Sequence, residues 1–304
     1  MFLFFPYRSF FTLFFRIVQK SAILDRNSDT TGEPMKHKVI ALDLDGTLLT
    51  PNGDITDYTK KTLQRIRQEG HQIVIATGRP YRMALHYYRE LQLDTPMINF
   101  NGSLIHIPEK KWAGERHYLL DKKYLLEFLE QAETFEADFI AGEYKHKFFL
   151  TQDHLDSIDP QLFGVEKIGP ETEMKPERIT SDPHSILMQT RAKDKYQLAE
   201  EMNRYFDYGL EINTWGGPLN ILETCGKGVN KATALAYLLE TMNRTAADLI
   251  AFGDEHNDVE MLQFAQIGYA MKNASNTLIP HADRRTSFSN QEDGVARELE
   301  ALFL

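Results

Sequence analysis

Three short apolar runs, far apart in the chain, each end in a compact polar cluster, and this recurrence limits the fold more than any other feature. Residues 39–42 run into Asp43-Leu44-Asp45-Gly46-Thr47, residues 73–76 into Thr77-Gly78-Arg79, and residues 249–252 into Gly253-Asp254-Glu255-His256-Asn257-Asp258. Strands are predicted at 39–44, 71–76, 97–99, 249–252 and 267–270. Helices are predicted between and after them at 58–70, 82–91, 231–241, 257–264 and about 294–302. Apolar runs alternating with amphipathic ones are the pattern of βαβ units in a mainly parallel sheet. Ligands of such sheets bind outside the carboxyl ends of the strands, so three clusters distant in sequence can meet there.

After about Gly114 the rhythm changes. A helix at 121–135, a strand near 147–150, a loop-rich stretch over 159–175, a strand at 185–190, a helix at 194–205 and a strand at 210–214 read as helices over an antiparallel sheet. The predicted fold class is therefore α/β: a doubly wound, Rossmann-like parallel-sheet core, residues 35–116 and 221–304, with an inserted α+β domain, residues 117–220.

Residues 1–34 are unlike the rest. Seven of the 19 phenylalanines fall within positions 2–15. A signal peptide would need an unbroken apolar core and a small-residue cleavage site, whereas Pro6, Arg8 and Arg16 interrupt the run and no A-x-A follows. A spanning helix needs about 20 apolar residues, more than this stretch supplies before its first charge. An amphipathic membrane-surface segment is a further reading. The expectation is an amino-terminal extension outside the fold, with Met35 as the native start.

Composition narrows the function classes. The 304 residues carry 34 Lys+Arg against 44 Asp+Glu, a formal charge of −10, so no global field would collect nucleic acid or draw the core to an anionic membrane. A single cysteine, Cys225, excludes an intramolecular disulfide framework and a multi-thiolate zinc site, and favours a cytoplasmic location.

The clusters themselves point to phosphate chemistry. Strand alternation puts Asp43 and Asp45 on one side of the chain, and Gly46 lets the backbone leave the strand through a conformation other residues resist. Two close carboxylates raise one pKa or require a cation. With Asp254 and Asp258 at the same edge, the oxygen-only donor set of Asp43, Asp45, Asp254 and Asp258 suits a hard ion, Mg²⁺ above all. Thr77, the neighbouring backbone N–H groups of Gly78 and Arg79, and a lysine would supply donors to phosphate oxygens.

Other motifs do not survive inspection. Counting from Asp43, Leu48 stands where a calcium loop requires glycine, and Gly226-Lys227-Gly228 lacks the phosphate-loop spacing. No histidines have ligand spacing; His256 reads as a rim residue, and Trp215 and Tyr205 as packing in the core or at the domain junction. Glu143, Lys145, Arg191 and Asn213 of the insert read as solvated surface, with substrate contact the alternative.

Taken together, DLDGT, TGR, the lysine of GVNKATAL and GDEHND resemble the haloacid dehalogenase superfamily, specifically its Cof-type members with a large inserted cap (type IIB). The likeness runs from about Lys38 to Leu299 in conserved order and spacing. It implies that Asp43 is a nucleophile forming an aspartyl-phosphate and that Asp45 is the general acid and base. It further implies that Thr77 binds the phosphoryl group and that Asp254 and Asp258 bind Mg²⁺, with Asn257 orienting these groups. The motif lysine is placed at Lys231, which opens a predicted helix, rather than at Lys227. Asn101-Gly102 and residues 271–274 match smaller family features, which adds Asn273 and Arg79 as candidates; Ala232 departs from the glycine of many relatives. The expected function is Mg²⁺-dependent hydrolysis of small phosphorylated metabolites, such as sugar phosphates or phosphorylated cofactors. The alternatives are a phosphotransferase or mutase on the same fold, or a stress-related regulatory or binding protein with little turnover.

Overall fold

The computed structural model describes residues 37–151, 158–216 and 219–304. The extension read at 1–34 lies outside them. Strand β1 (Val39–Leu42) is buried along its whole length, as a central parallel strand must be when both its faces are covered. It pairs in parallel with β2 (Gln72–Ile75) on one side and with β11 (Leu249–Gly253) on the other. Beyond β11 lie β12 (Ile267–Ala270) and the edge strand β13 (Arg284–Arg285). A bridge from Ala76 to Ile98 carries the parallel order from β2 to β3 (Met97–Asn99). The connection from β1 leads one way, through helix α1 (Asp57–Gln68) to β2 and through α2 (Tyr81–Glu90) to β3. The connection from β11 leads the other way, so a crevice opens at the ends of β1 and β11. Helix α5 (Lys231–Thr241) packs on α6 (Val259–Phe264), and α1 packs on the last helix, α7 (Gly294–Phe303).

A second layer system is antiparallel. Its five strands run in the order β7 (Phe148–Leu150), β6 (Ala137–Glu143), β8 (Ser185–Thr190), β10 (Ile221–Gly226), β9 (Leu210–Thr214). Alternation sorts the two faces: Ile186 and Met188 join Leu125, Phe128, Leu198 and Met202 of helices α3 (Lys122–Glu130) and α4 (Lys195–Tyr205). Leu187 points the other way, into a smaller cluster with Phe139, Phe148 and Phe163. The chain enters this unit through a three-stranded sheet of β3, β4 (Leu104–His106) and β5 (Arg116–His117). The protein is thus an α/β core carrying an antiparallel α+β cap.

Three details differ from the sequence reading. The reading starts the second core segment at 221, yet Ile221–Gly226 is strand β10, hydrogen-bonded between β8 and β9, so the chain returns to the core between Gly226 and Lys231. Strand β6 was not expected: Ala-Asp-Phe-Ile-Ala-Gly-Glu lacks β-branched alternation, and its strand state comes from pairing with both β7 and β8. Tyr205 is exposed on α4, donating to Glu127 at 3.0 Å, and is no core residue. No helix among the described residues is long and apolar enough to cross a membrane.

Candidate active site

The carboxyl ends of β1 and β11 lie side by side, Leu42 opposite Phe252, and this register delivers the first and last polar clusters to one place. Oxygen atoms of Asp43, Asp254 and Asp258 all lie within 4.8 Å of one another. The chain can turn there because Gly46 has φ +70° and because a side chain at this position would meet the Asp254 carboxylate: a Cβ would stand 2.0 Å from Oδ2. Thr47 donates its hydroxyl to Asp254 Oδ1 at 2.9 Å. Asp258 Oδ2 accepts from the backbone N–H of Asp254 at 3.0 Å and of Glu255 at 3.3 Å, which fixes its other oxygen toward the group.

That other oxygen meets Lys231. Asn230 caps α5 reciprocally with Thr233, so Lys231 is the first residue of the helix. Its fully buried Nζ lies 2.7 Å from Asp43 Oδ1 and 2.7 Å from Asp258 Oδ1. Lys227, the rival in the sequence, is exposed. Burial pulls the Lys231 ammonium pKa down, but the Asp258 and Asp43 charges outweigh it and the net shift is upward. One lysine does not balance three carboxylates. Burial, with Asp258 and Asp45 adding to it, pushes Asp43 up to about 7 although Lys231 pulls the other way. Burial and the charges of Asp43 and Asp258 push Asp254 up to about 8. An oxygen-only donor set short of positive charge fits a divalent hard cation such as Mg²⁺.

Asp45, grouped with the metal ligands in the sequence reading, stands apart. Its exposed carboxylate is held by Arg79, Nε to Oδ2 at 2.7 Å and Nη2 to Oδ1 at 2.6 Å. Thr77 is buried, and its hydroxyl accepts the backbone N–H of Arg79 at 3.1 Å, shaping the turn after β2. A Cβ on Gly78 would come 3.1 Å from the Asn101 side chain. The Asn257 amide donates to Asn101 Oδ1 at 3.0 Å. Asn273 donates to the Gly46 carbonyl at 2.7 Å and so braces the loop that carries Asp45. His256 is half-exposed beside Glu255.

The structure also brings in Thr47, which the sequence reading passed over, and gives the residues of the insert their partners. Thr47 lies inside the first cluster, and its contact with Asp254 needs the fold to be seen. Glu143 is no solvated residue: it is buried in a bidentate pair with Arg82 of α2, at 2.7 and 2.9 Å. Lys145 pairs with Glu115 at 2.6 Å, Arg191 pairs with Asp138 at 3.2 Å, and Asn213 is exposed. Trp215 is part-buried, and its indole donates to Glu223 of β10 at 3.1 Å.

Strand ends that gather three carboxylates around a buried lysine, beside the turn that carries Thr77, suit phosphoryl transfer. The family model of haloacid dehalogenase-like hydrolases matches residues 40–299. The chain is 32% identical over 268 residues to the 5-amino-6-(5-phospho-D-ribitylamino)uracil phosphatase of Bacillus subtilis, spanning 88% of this chain and 98% of that one. It is 28% identical over 261 residues to the pyridoxal phosphate phosphatase of Escherichia coli, spanning 82% and 93%. The fold superposes on a haloacid dehalogenase-like hydrolase from Bacteroides thetaiotaomicron with a TM-score of 0.75 and 29% identity, over 88% of this chain and all of that one. The chain belongs to the haloacid dehalogenase-like hydrolases, of the Cof type, and is a phosphatase.

Proposed function

We propose that the enzyme is a Mg²⁺-dependent phosphatase of small phosphorylated metabolites that works in the cytoplasm through an aspartyl-phosphate. The observation that carries this reading is Lys231 Nζ at 2.7 Å from both Asp43 and Asp258, with Asp254 in the same group. An Asp43 oxygen attacks phosphorus while the bond from phosphorus to the ester oxygen breaks, and Asp45 gives that oxygen its proton. Asp45 then takes a proton from water, whose oxygen attacks the phosphorus of the aspartyl-phosphate; inorganic phosphate leaves and Asp43 returns as carboxylate. Lys231 draws Asp43 toward its ionised form and holds it in place, and the Thr77 hydroxyl and the Gly78 N–H bind the phosphoryl oxygens, with the Arg79 guanidinium at hand. Asp43, Asp254 and Asp258 would hold Mg²⁺, which supplies charge neutralisation for the phosphoryl group. The ion-paired Asp45 carboxylate must leave Arg79 before it can carry a proton, and an incoming phosphate dianion is a competing partner for the guanidinium.

The two named relatives release phosphate from a ribityl chain and from pyridoxal phosphate. Both names support a phosphomonoester of a small metabolite as the substrate class. The antiparallel unit, spanning 117–226, serves as the cap that covers the site and selects the leaving group. The test is hydrolysis of 4-nitrophenyl phosphate with and without Mg²⁺, with Asp43→Asn as control. Turnover that needs Mg²⁺ and vanishes in the variant supports the reading; full activity in the variant ends the assignment of Asp43.

A further inference from the structure

Two cap carboxylates reach the core, and their environments differ. Glu143 has both oxygens occupied by the Arg82 guanidinium, so it is a strut. Among the described residues, Glu223 has no cationic partner in contact. It sits on β10 between Leu187 of β8 and Asn213 of β9, on the face opposite the one where Leu222 packs under the cap helices. Two neutral donors, Asn101 Nδ2 at 3.0 Å and Trp215 Nε1 at 3.1 Å, converge on the same oxygen, Oε2. Oε1 accepts no hydrogen bond from the described residues.

The place of this oxygen is fixed from the core side. Asn101 bonds Asn257 through its Oδ1 and packs against Gly78 of the phosphate-binding turn. Glu223 is therefore one residue removed from that turn; burial pushes its carboxyl up to about 7, against the pull of the Trp215 and Asn101 donors and of the Lys231 charge. A partly buried acceptor with one lone oxygen costs free energy unless a donor meets it.

We propose that Glu223 is a specificity-determining residue through which the cap reads the leaving group, its Oε1 accepting a hydrogen bond from a hydroxyl or N–H near the ester oxygen. The enzyme then prefers polyol phosphates over alkyl phosphates of equal length. This inference rests on the phosphatase reading above. A site built to accept a substrate donor discriminates strongly against an analogue that lacks it, because its own polar group is left unpaired.

The experiment compares kcat/KM for ribitol 5-phosphate and n-pentyl phosphate in the unaltered chain and in Glu223→Gln, with Glu223→Ala as a second variant. Glutamine keeps the size of the side chain. If its carbonyl takes the place of Oε2 beneath Asn101 and Trp215, an NH₂ donor replaces the acceptor that faces the leaving group. The ratio of the two kcat/KM values is expected to fall at least about tenfold in Glu223→Gln, whatever happens to the absolute rates. A ratio within about twofold of the unaltered chain, or an equal loss on both substrates, overturns the assignment and leaves Glu223 as a tie between cap and core. An unaltered chain that hydrolyses 4-nitrophenyl phosphate but does not favour the polyol also overturns it while sparing the phosphatase reading. A chain that hydrolyses none of the three removes both.

Discussion

Arg79 grips Asp45 through two parallel hydrogen bonds, at 2.7 and 2.6 Å, and so keeps the second aspartate of the first motif outside the group formed by Asp43, Asp254 and Asp258. The two aspartates are two positions apart in the sequence, yet one carboxylate is buried against a lysine and the other is exposed against an arginine. Different partners allow different roles. The proposed roles, attack for Asp43 and proton transfer for Asp45, rest on this difference in burial and partner.

Arg79→Gln should lower kcat on 4-nitrophenyl phosphate by about 10²-fold, because it removes the guanidinium that the phosphate dianion would draw away from Asp45. Steady-state kinetics measure this directly. A kcat within about threefold of the unaltered chain would show that the clamp does not serve catalysis.

Lys231→Met leaves Asp43 and Asp258 buried without their cation, a change expected to destabilise the fold by about 3–5 kcal/mol and to abolish turnover. Denaturant unfolding and activity assays on the same preparation test both parts. Lys227→Met, at an exposed turn, should leave both unchanged; the reverse outcome would transfer the motif role to Lys227.

Gly46→Ala forces a side chain into a left-handed backbone position and onto the Asp254 carboxylate. The backbone term alone is about 1 kcal/mol, and displacement of Asp254 should reduce activity by at least about tenfold. Thermal unfolding and activity measured together would show whether the two losses coincide.

Mg²⁺ should raise the melting temperature, since a ligand present at about 100 times its Kd stabilises the folded state by about 2.7 kcal/mol. Asp254→Asn should remove most of that rise. A melting temperature unmoved by Mg²⁺ in the unaltered protein would argue against the carboxylate group as a cation site.

Two buried histidines give the fold a pH dependence. Burial first, then the Lys145 charge, lowers His106 to about 3; burial, then His117, lowers His184 to about 3. Asn99 uses its NH₂ on the Arg79 carbonyl, so its Oδ1 accepts from His106 Nε2, which identifies the neutral tautomer. Below about pH 6.5 the unfolded chain takes up protons that the folded chain refuses. The histidines' contribution is therefore fully present above that pH and is lost as pH falls toward 3, by about 2 kcal/mol per histidine at pH 5, while Asp43 and Asp254, raised to about 7 and 8, act in the opposite direction. Urea unfolding of the unaltered chain and of His184→Phe at pH 5 and pH 8 isolates the share of His184: the variant should be more stable relative to the unaltered chain at pH 5 than at pH 8, and an equal difference at both would refute it.

Much of the core was legible because its parallel strands are buried on both faces and read as continuous apolar runs. Strands Met97–Asn99 and Ile267–Ala270 and helix Lys231–Thr241 fall where periodicity puts them. The cap was less legible. Strand Ala137–Glu143 owes its state to partners on both sides, and the cap's return at Gly226 is set by the pairing of Ile221–Gly226, not by any turn residue.

The sequence by itself determined that three polar clusters end apolar strands, and local chemistry sufficed for that: Gly46 permits the turn, and Asn230 starts the helix at Lys231. What only the tertiary structure decided is which carboxylate meets which cation. Asp43 and Asp45 are both acids at the end of one strand; Lys231, 188 residues away from Asp43, and Arg79, 34 away from Asp45, make them different. The same holds for Glu143 and Glu223, two cap acids of one residue type, separated by the presence of Arg82 beside one and of Asn101 and Trp215 beside the other. Charge pairing acts over a few ångströms of space, and only the folded chain sets those distances.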